Sequence, residues 1–475
     1  MTSFLVHLLL FALVSLLHVS SACYNTNGSY STCGEKSPKP YHLFGTKTTY
    51  EHATGLSSGS ANSFNVKGCR PLLLMLFMRH TTRYPNVKDM KKFKDRIPAL
   101  RDQMLEAERN NCSMLCKTHL RQLRDWQFEW SIKDENAVTL SGVRDTKLIG
   151  KYQKRFPWLL PKTFSEKDYK IAFTSKTRTR DTASAFMFQL LNRKGDVQCV
   201  IATLLRTIHD DVRPIHICKS TNQSRLHFEA RGVVIAKFSL YMVHCTAVNV
   251  TRKHTHAVII FQLDIELMAK MCAFEVAING SSPFCNLFRK EDLQLLEYAG
   301  DLDDYYKDGY GQERNSAQAC GVIREFVSRI RERVGTTTCY RCRRRRHGLR
   351  ASLYFSHAEA IKKVMTRLGI HKDHEPLTAD AYCDVREKRK WRSSYYSPFT
   401  ANLGIVLFGC KGRHPYKVVA FLNEKVVRIE GCPHDFCPLT DFLNTSAVVR
   451  SRRCDHRKIC DPDWDPSSYF DSDAE

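Results

Sequence analysis

The sequence predicts an α/β protein with a parallel sheet, because three strand-like segments are each followed by a polar turn and a helical pattern. Residues 72–78 form an uninterrupted apolar run that ends at Arg79. Such a run is typical of a central strand that is covered on both faces. Residues 169–174 and 352–355 are shorter apolar runs, and apolar residues at helical spacing follow both of them.

The first predicted strand brings charged side chains to its carboxyl end, where α/β sheets place their chemistry. Arg79, His80 and Arg83 follow the apolar run within a few residues. Imidazole is a nucleophile, and guanidinium groups hold phosphate oxygens through paired, charge-assisted hydrogen bonds. This segment therefore indicates phosphoryl transfer through a phosphohistidine. The alternative is a buried structural histidine beside a solvated rim of arginines.

The strand at residues 352–355 is followed by His357, Glu359 and a helix that ends near Gly369. The N-terminus of a helix carries free amides and partial positive charge, so it suits a phosphate group. We expect His357 to contact the phosphate and Glu359 to face the leaving oxygen. The alternative for Glu359 is a carboxylate that only complements the helix dipole.

These segments resemble a known family. Residues 79–85, RHTTRYP, resemble the R-H-G-x-R-x-P signature of the histidine acid phosphatases, with Thr81 where the family has glycine. His-Ala-Glu at residues 357–359 and PFTANLGIVLFGC at residues 398–410 resemble the multiple inositol polyphosphate phosphatase branch of that family.

The resemblance implies a histidine-phosphatase (phosphoglycerate-mutase-like) three-layer sandwich with an inserted, mostly helical cap domain. It covers residues 65–195 and 262–430, whereas residues 200–261 are either a divergent insertion or an error in the gene prediction. The implied organisation is a signal peptide at 1–22, an N-terminal arm at 23–64, the first part of the α/β core at 65–199, the cap or insert at 200–345, the second part of the core at 346–440 and a C-terminal tail at 441–475.

The resemblance also implies a role for each site residue and no metal or other cofactor. His80 is the nucleophile, Glu359 is the proton donor, and the groups that bind the substrate phosphate are Arg79, Arg83, Arg178 and His357. Arg178 is chosen because Thr182 and Phe186 follow it at the family's spacing, and Arg180 is the second candidate.

The implied function is that of a secreted acid phosphatase that hydrolyses inositol hexakisphosphate and lower inositol polyphosphates, with 2,3-bisphosphoglycerate as a further candidate. Two alternatives are a broad-specificity acid phosphomonoesterase and a weakened or inactive relative that binds polyanions. Thr81 favours weakened turnover, because glycine there lets backbone amides approach the phosphate, whereas a β-branched residue stiffens and crowds the turn. A Thr81→Gly variant is then expected to be faster.

The formal net charge of +24 predicts an anionic partner, which is the polyphosphorylated small molecule or a glycan, although a solvated basic surface explains part of it. No helix-turn-helix, zinc-finger or aromatic RNA-binding signature accompanies the charge, so we expect no nucleic acid. Four lysines after the nucleophile either contact outlying phosphates or form a solvated helix face: Lys88, Lys91, Lys92 and Lys94.

A second segment, RHGLR at residues 346–350, repeats the start of the signature with its glycine. Arginines rather than a buried strand precede it, and no proline follows. A nucleophile needs rigid support, so we reject His347 as catalytic. Cys339 and Cys342 are half of a zinc site without a clear second half, which favours a disulfide or a loop.

The chain is predicted to be secreted or to lie in the lumen of the secretory pathway, without stable membrane insertion. An apolar stretch within residues 1–22 ends in small residues, as a signal peptide does. Nineteen cysteines fit an oxidising compartment, although their connectivity cannot be deduced from the sequence. The candidate N-glycosylation sites are Asn27, Asn111, Asn222, Asn249, Asn279 and Asn444.

Overall fold

The computed structural model of the chain describes residues 40–55, 66–109, 115–150, 155–156, 159–160, 164–191, 262–334, 348–461 and 463–465. The predicted signal peptide, residues 200–261, the pair Cys339 and Cys342, and four of the six candidate glycosylation sites lie outside these residues. The other two sites, Asn279 and Asn444, are both exposed. Glycosylation and the domain boundaries stay predictions.

A seven-stranded mixed sheet lies at the centre of the structure. Its strands are β1 (Cys69–Arg79), β2 (Tyr169–Phe173), β3 (Ala351–Ser356), β4 (Asn402–Cys410), β5 (Tyr416–Leu422), β6 (Lys425–Val427) and β7 (Cys437–Pro438). The strand order is β2-β3-β1-β4-β5-β6, and β7 pairs with β5. β1 is therefore a central strand, as the apolar run predicts.

The prediction of a parallel sheet is correct for only three of the seven strands. β2, β3 and β1 are parallel, whereas β4 pairs antiparallel with both β1 and β5. The short connection from Cys410 to Tyr416 requires antiparallel pairing of β4 with β5, because a parallel pair needs a long crossover. At the other end of β4, Ala401 accepts a hydrogen bond from the amide of Arg79, so β4 starts where β1 ends.

The helices surround this sheet. In chain order they are α1 (Tyr50–Thr54), α2 (Val87–Arg109), α3 (Lys117–Asp125), α4 (Leu140–Ile149), α5 (Thr177–Leu191), α6 (Gln262–Asn279), α7 (Lys290–Asp308), α8 (Glu313–Ala317), α9 (Cys320–Val334), α10 (Ala358–Arg367), α11 (Tyr382–Val385), α12 (Ser393–Tyr396), α13 (Leu439–Leu443), α14 (Ser446–Val449) and α15 (His456–Ile459). Short 3₁₀ turns also occur at Tyr41–Leu43, Gly45–Lys47, Ile132–Asp134, Pro283–Leu287 and Arg450–Arg453.

Both faces of β1 are buried, which explains why its sequence is continuously apolar. Leu73, Met75 and Phe77 face a core that is covered by α7, α9 and α10. The residues between them, such as Leu74 and Leu76, face a second core that is covered by α5. Helices on both faces of one sheet give the predicted three-layer sandwich.

A third hydrophobic cluster is made by helices and turns, without a residue of the sheet. Phe93 and Ile97 of α2 pack there with Leu123 of α3, Met268 of α6 and Phe284. Within the predicted insert, therefore, α6 belongs to this third cluster, α9 belongs to the core on one face of β1, and α7 contributes to both. α2 also continues through Pro98, because buried side chains on both sides of the proline stabilise the helix.

The eleven cysteines of the described residues all form disulfides. The pairs within that part of the chain are Cys69–Cys410, Cys272–Cys285, Cys320–Cys454 and Cys432–Cys437. This pairing fits the predicted oxidising compartment. Among the described helices, none combines the length and the apolar character that crossing a membrane requires.

Candidate active site

The three parallel strands bring the predicted site residues to one edge of the sheet. β1 ends at Arg79 and is followed by His80, and β3 ends at Ser356 and is followed by His357. β2 leads into the first turn of α5, where Arg178 lies. The amide of His80 donates to the carbonyl of Ser356 at 2.9 Å, which joins the two strand ends directly.

His80 is held as a neutral imidazole with one free nitrogen. Its Nδ1 lies 3.0 Å from the carbonyl oxygen of Thr81. A carbonyl oxygen only accepts, so Nδ1 carries the proton and Nε2 keeps its lone pair. Burial, together with the charges of Arg79 and Arg83, lowers the pKa of His80 well below its ordinary value. This is the protonation state that a nucleophilic histidine requires.

Arg79 is fixed by main-chain oxygens and an aromatic ring. Its Nη1 donates to the carbonyl oxygens of Thr46 and, at 2.8 Å, of Ser397. Its Cζ lies 4.6 Å from the centroid of the Phe399 ring. Burial and the neighbouring Arg83 lower the pKa of Arg79 to about 9, so its guanidinium is charged at neutral and acidic pH.

Arg83 is fixed in a similar way. Its Nη1 donates to the carbonyl of Tyr84 at 2.7 Å, and its Cζ lies 6.0 Å from the centroid of the Phe274 ring. Its main chain forms an antiparallel bridge with Val138. Burial and the charge of Arg178 lower the pKa of Arg83 to about 10.

Arg178 and His357 contact each other. Nη2 of Arg178 lies 3.4 Å from Nδ1 of His357, and Nε2 of His357 lies 3.0 Å from Oγ1 of Thr174. Guanidinium groups only donate, so Nδ1 accepts and Nε2 carries the proton. Burial and Arg178 lower the pKa of His357 to about 4, so this ring is neutral. Arg180, the second candidate, pairs instead with Asp181 at 3.2 Å.

Glu359 lies in the first turn of α10. Burial raises its pKa, but Lys362 and His357 are among the groups that lower it, and the net pKa lies below the ordinary value. The carboxyl is therefore ionised in the ligand-free protein except in acid. Its charge raises the pKa values of Arg79, Arg83 and Arg178 against the effect of burial, so it lies among the same three guanidinium groups.

The Nε atoms of Arg79, Arg83 and Arg178 are buried and have no hydrogen-bond partner among the described residues. A buried donor without an acceptor is costly and rare in native proteins. Three such donors beside the His80 ring, all on charged groups, fit an anion with several oxygens. A phosphate group has this geometry, and arginine is the residue that binds it best.

Lys47 is a further cation at the site, and the sequence analysis did not identify it. It ends the 3₁₀ turn Gly45–Lys47, directly after Thr46, whose carbonyl accepts a hydrogen bond from Arg79. Its Nζ lies 5.9 Å from the centroid of the Phe274 ring, which Arg83 also contacts. Burial, Lys270 and Arg79 lower the pKa of Lys47 to about 8. No local pattern marks Lys47, because it lies in an arm without hydrophobic periodicity.

Thr81 does not crowd the turn, contrary to our expectation. Its side chain is completely buried, and its backbone is not in the left-handed region that favours glycine. Its hydroxyl donates to the carbonyl of Gly142 at 2.7 Å and lies 2.9 Å from the hydroxyl of Thr400. The space that the side chain occupies exists because residue 142 has no Cβ.

Other predicted groups lie elsewhere. The four lysines of α2 are exposed, which supports the solvated helix face. Arg350, from the second RHG segment, pairs with Asp168 at 2.8 Å and precedes β3, so it lies at the opposite edge of the sheet from His80. The described residues contain one group with metal-ligating side chains close together, Cys320, Cys454 and His456. Since the two cysteines form a disulfide, only the histidine remains as a ligand.

Comparison with known proteins identifies relatives of the whole chain. It is 27% identical over 426 residues to multiple inositol polyphosphate phosphatase 1 of Drosophila melanogaster, and this alignment covers 86% of each chain. It is 28% identical over 423 residues to the human protein of the same name, with 82% of each chain covered. Phytase A of Aspergillus fumigatus is 23% identical over 477 residues, which covers 92% of this chain and 98% of the relative.

Solved structures share the fold. A phytase from D. castellii superposes with a TM-score of 0.63 at 17% identity and covers 96% of both chains. The multiple inositol polyphosphate phosphatase of Bifidobacterium longum, in complex with inositol hexasulfate, superposes with a TM-score of 0.56 at 14% identity. That alignment covers 82% of this chain and 94% of the other.

The family profile described as "Histidine phosphatase superfamily (branch 2)" matches residues 73–429, which include the three strand ends and every site residue named above except Lys47. The match confirms the enzyme class that the sequence predicts, a phosphoric monoester hydrolase. The chain belongs to branch 2 of the histidine phosphatase superfamily.

Proposed function

We propose that the protein hydrolyses inositol polyphosphates through a phosphohistidine formed on His80. The observation that carries the proposal is the arrangement of three guanidinium groups, each with a buried and unpaired Nε–H donor, around a neutral imidazole. The guanidiniums of Arg79, Arg83 and Arg178 bind the phosphoryl oxygens and neutralise their charge as the bond to the ester oxygen breaks.

In the first step, Nε2 of His80 attacks phosphorus in line with the ester oxygen. A nitrogen–phosphorus bond forms, the phosphorus–oxygen ester bond breaks, and its electron pair stays on the departing oxygen. Glu359 gives this oxygen a proton, since an inositol alkoxide is too basic to leave unaided. In the second step, water attacks the phosphohistidine and gives a proton to Glu359. Inorganic phosphate leaves, and the imidazole is restored.

The mechanism requires a protonated Glu359, although the pKa of this carboxyl is low in the ligand-free protein. A bound phosphate brings negative charge next to the carboxylate, which raises its pKa. Low pH supplies the proton. The pKa of His80 is depressed so far that its imidazole stays unprotonated under the same conditions. We therefore expect activity to be highest in acid and to fall as the pH rises.

Two observations support the substrate class. One is the names of the relatives, and the other is positive charge at the site beyond the guanidinium groups that bind one phosphate. Two curated relatives are named for inositol polyphosphates, and the Bifidobacterium longum homologue was crystallised with inositol hexasulfate. Lys47 extends the positive charge from Arg79 and Arg83, whereas Lys270 beside it forms an ion pair with Asp89. A substrate with several phosphates uses such charge, whereas a simple monoester does not. We place this reaction outside the cell or in the secretory lumen, in keeping with the disulfides.

The test is phosphate release from inositol hexakisphosphate by secreted protein, from acidic to mildly alkaline pH. His80→Ala is the control, and p-nitrophenyl phosphate is the comparison substrate. Release that requires His80, peaks in acid and favours the inositol ester is expected. Equal turnover of both esters indicates the broad-specificity phosphatase. Release no greater than that of the control contradicts the proposal and favours the polyanion-binding relative.

A further inference from the structure

Thr81 stands beside the nucleophile, and every polar group of this residue is hydrogen-bonded. Its amide donates to Oγ1 of Thr182 at 3.1 Å, and its carbonyl accepts from Nδ1 of His80 at 3.0 Å. Its hydroxyl lies 2.7 Å from the carbonyl of Gly142 and 2.9 Å from the hydroxyl of Thr400. The residue whose carbonyl orients the imidazole is thus held through both its amide and its side chain.

The direction of the hydroxyl contacts follows from the number of protons. A threonine hydroxyl has one proton and two lone pairs. The Gly142 carbonyl only accepts, so the hydroxyl of Thr81 donates its proton to that carbonyl. The hydroxyl of Thr400 must therefore donate to that of Thr81. All of these groups are buried, where an unpaired hydroxyl is costly, so the chain from Thr400 through Thr81 to Gly142 is specific.

Gly142 leaves room for both the backbone of this turn and the Thr81 side chain. A Cβ built on residue 142 would lie 2.5 Å from the carbonyl oxygen of Thr82, 2.8 Å from Cγ2 of Thr81 and 2.9 Å from Oγ1 of Thr81. All three distances are far inside van der Waals contact. The threonine side chain therefore fills a space that this glycine leaves open at the start of α4.

Thr400 ties the same network to the backbone of the nucleophile. Its amide donates to the carbonyl of His80 at 3.3 Å. Its φ is +65°, a conformation that is strained for a β-branched residue and persists only where neighbouring groups hold it. The hydroxyl of Thr81 is one of these groups.

We propose that Thr81 is a positioning residue, whose hydroxyl, held between Gly142 and Thr400, fixes the carbonyl that orients the His80 ring for attack. The inference rests on the proposed function, since it takes His80 as the nucleophile. It reverses the expectation from sequence that glycine at this position would speed the reaction. Phosphate binding itself is assigned to other residues, so we expect substitution of Thr81 to lower kcat rather than to raise KM.

The experiment compares Thr81→Ser, Thr81→Val and Thr81→Gly with the parent protein on inositol hexakisphosphate. Serine keeps the hydroxyl, valine keeps the shape without it, and glycine removes both. We expect serine to retain most of kcat, and valine and glycine to lower it by about tenfold to a hundredfold through misorientation of the ring. KM and inhibition by inorganic phosphate are expected to change little. Thermal unfolding of each variant shows whether the loss is one of folding.

Thr400→Val approaches the same contact from the other side. If the two hydroxyls act as one unit, the double variant Thr81→Val/Thr400→Val loses clearly less kcat than the product of the two single losses. Multiplicative losses, or a Thr81→Gly variant as fast as the parent, overturn the inference while leaving the proposed function intact. A parent protein whose phosphate release does not depend on His80 overturns both.

Discussion

The proposed nucleophile and the proposed proton donor need opposite protonation states at the same pH, and single residues around them make this possible. Burial and two arginines keep His80 neutral even in acid. Glu359 carries a negative charge until phosphate arrives and raises its pKa. The guanidinium groups that we propose to bind the substrate therefore also keep the imidazole unprotonated. An acid optimum and a free histidine lone pair are compatible for this reason.

Arg178 and Arg180 provide a matched pair of substitutions on one helical turn. Arg178 contacts His357, whereas Arg180 pairs with Asp181 and is partly exposed. We expect Arg178→Gln to lower kcat/KM by about a hundredfold to a thousandfold, as the loss of one transition-state donor does. Arg180→Gln is expected to stay within about a factor of two of the parent. Steady-state kinetics of both variants checks this, and equal losses would show that Arg178 has no special role.

Lys47 is expected to make polyanion binding depend on pH. Its pKa of about 8 means that it is a cation below this pH and neutral above it. Inositol hexasulfate is a suitable probe, because its sulfate charges do not titrate in this range. Its Kd should therefore rise as the pH increases through that value. Lys47→Met should weaken binding by about tenfold to a hundredfold at lower pH and abolish the step.

Lys88→Met, on the exposed face of α2, is the control for this measurement and should preserve the step. Isothermal calorimetry at a series of pH values gives Kd directly. A step that persists unchanged in Lys47→Met would assign the pH dependence to another group.

At the scale of elements, α7 and α10 are joined by buried charge. Asp304 and Asp308 of α7 contact Nζ of Lys362 on α10 at 2.5 and 3.0 Å. Lys362 is one helical turn from Glu359 and is among the groups that lower the pKa of this carboxyl. The packing of these two helices thereby influences the pKa of the proposed proton donor, Glu359.

We expect Lys362→Met to destabilise the protein by about 3–5 kcal/mol, because Asp304 stays buried without its cation, whereas Asp308 keeps its ion pair with Lys363. The pKa of Glu359 rises in the same variant, so whatever activity remains extends to higher pH. Lys372→Met is the control, since its ion pair with Glu430 is half exposed on both sides and contributes little. Urea unfolding measures the stability. A loss for Lys362→Met no larger than that of the control would contradict the account.

The strand ends could be predicted from the sequence, because a doubly buried strand is continuously apolar and its charged continuation is conspicuous. That reasoning located His80, His357 and Glu359 and the segment that carries Arg178. It missed Lys47, whose position depends on a tertiary contact between Thr46 and Arg79. It also took Thr81 as a defect, because the compensating glycine lies in a distant helix. The direction of β4 depends on its short connection to β5, which apolar runs alone do not encode.

At the scale of the whole molecule, Cys69–Cys410 joins β1 to β4 across a sequence separation of 341 residues. Cys432–Cys437 spans only 5 residues and serves as the comparison. The chain-entropy account predicts losses of about 6 kcal/mol for the paired serine variant of the long loop and about 2 kcal/mol for the short one. Denaturant unfolding of the two double variants gives the order. The reverse order would show that strand packing, rather than loop closure, determines the contribution of these bonds.

The central claim, a covalent phosphohistidine on His80, is tested most directly by trapping it. Protein mixed rapidly with inositol hexakisphosphate is quenched in alkaline denaturant, because the phosphorus–nitrogen bond hydrolyses in acid. Peptides are then analysed by mass spectrometry beside the His80→Ala variant. The account predicts one added phosphoryl group on the peptide that contains His80 and none in the variant. Turnover without a phosphorylated His80 peptide, or with the group on another residue, would contradict it.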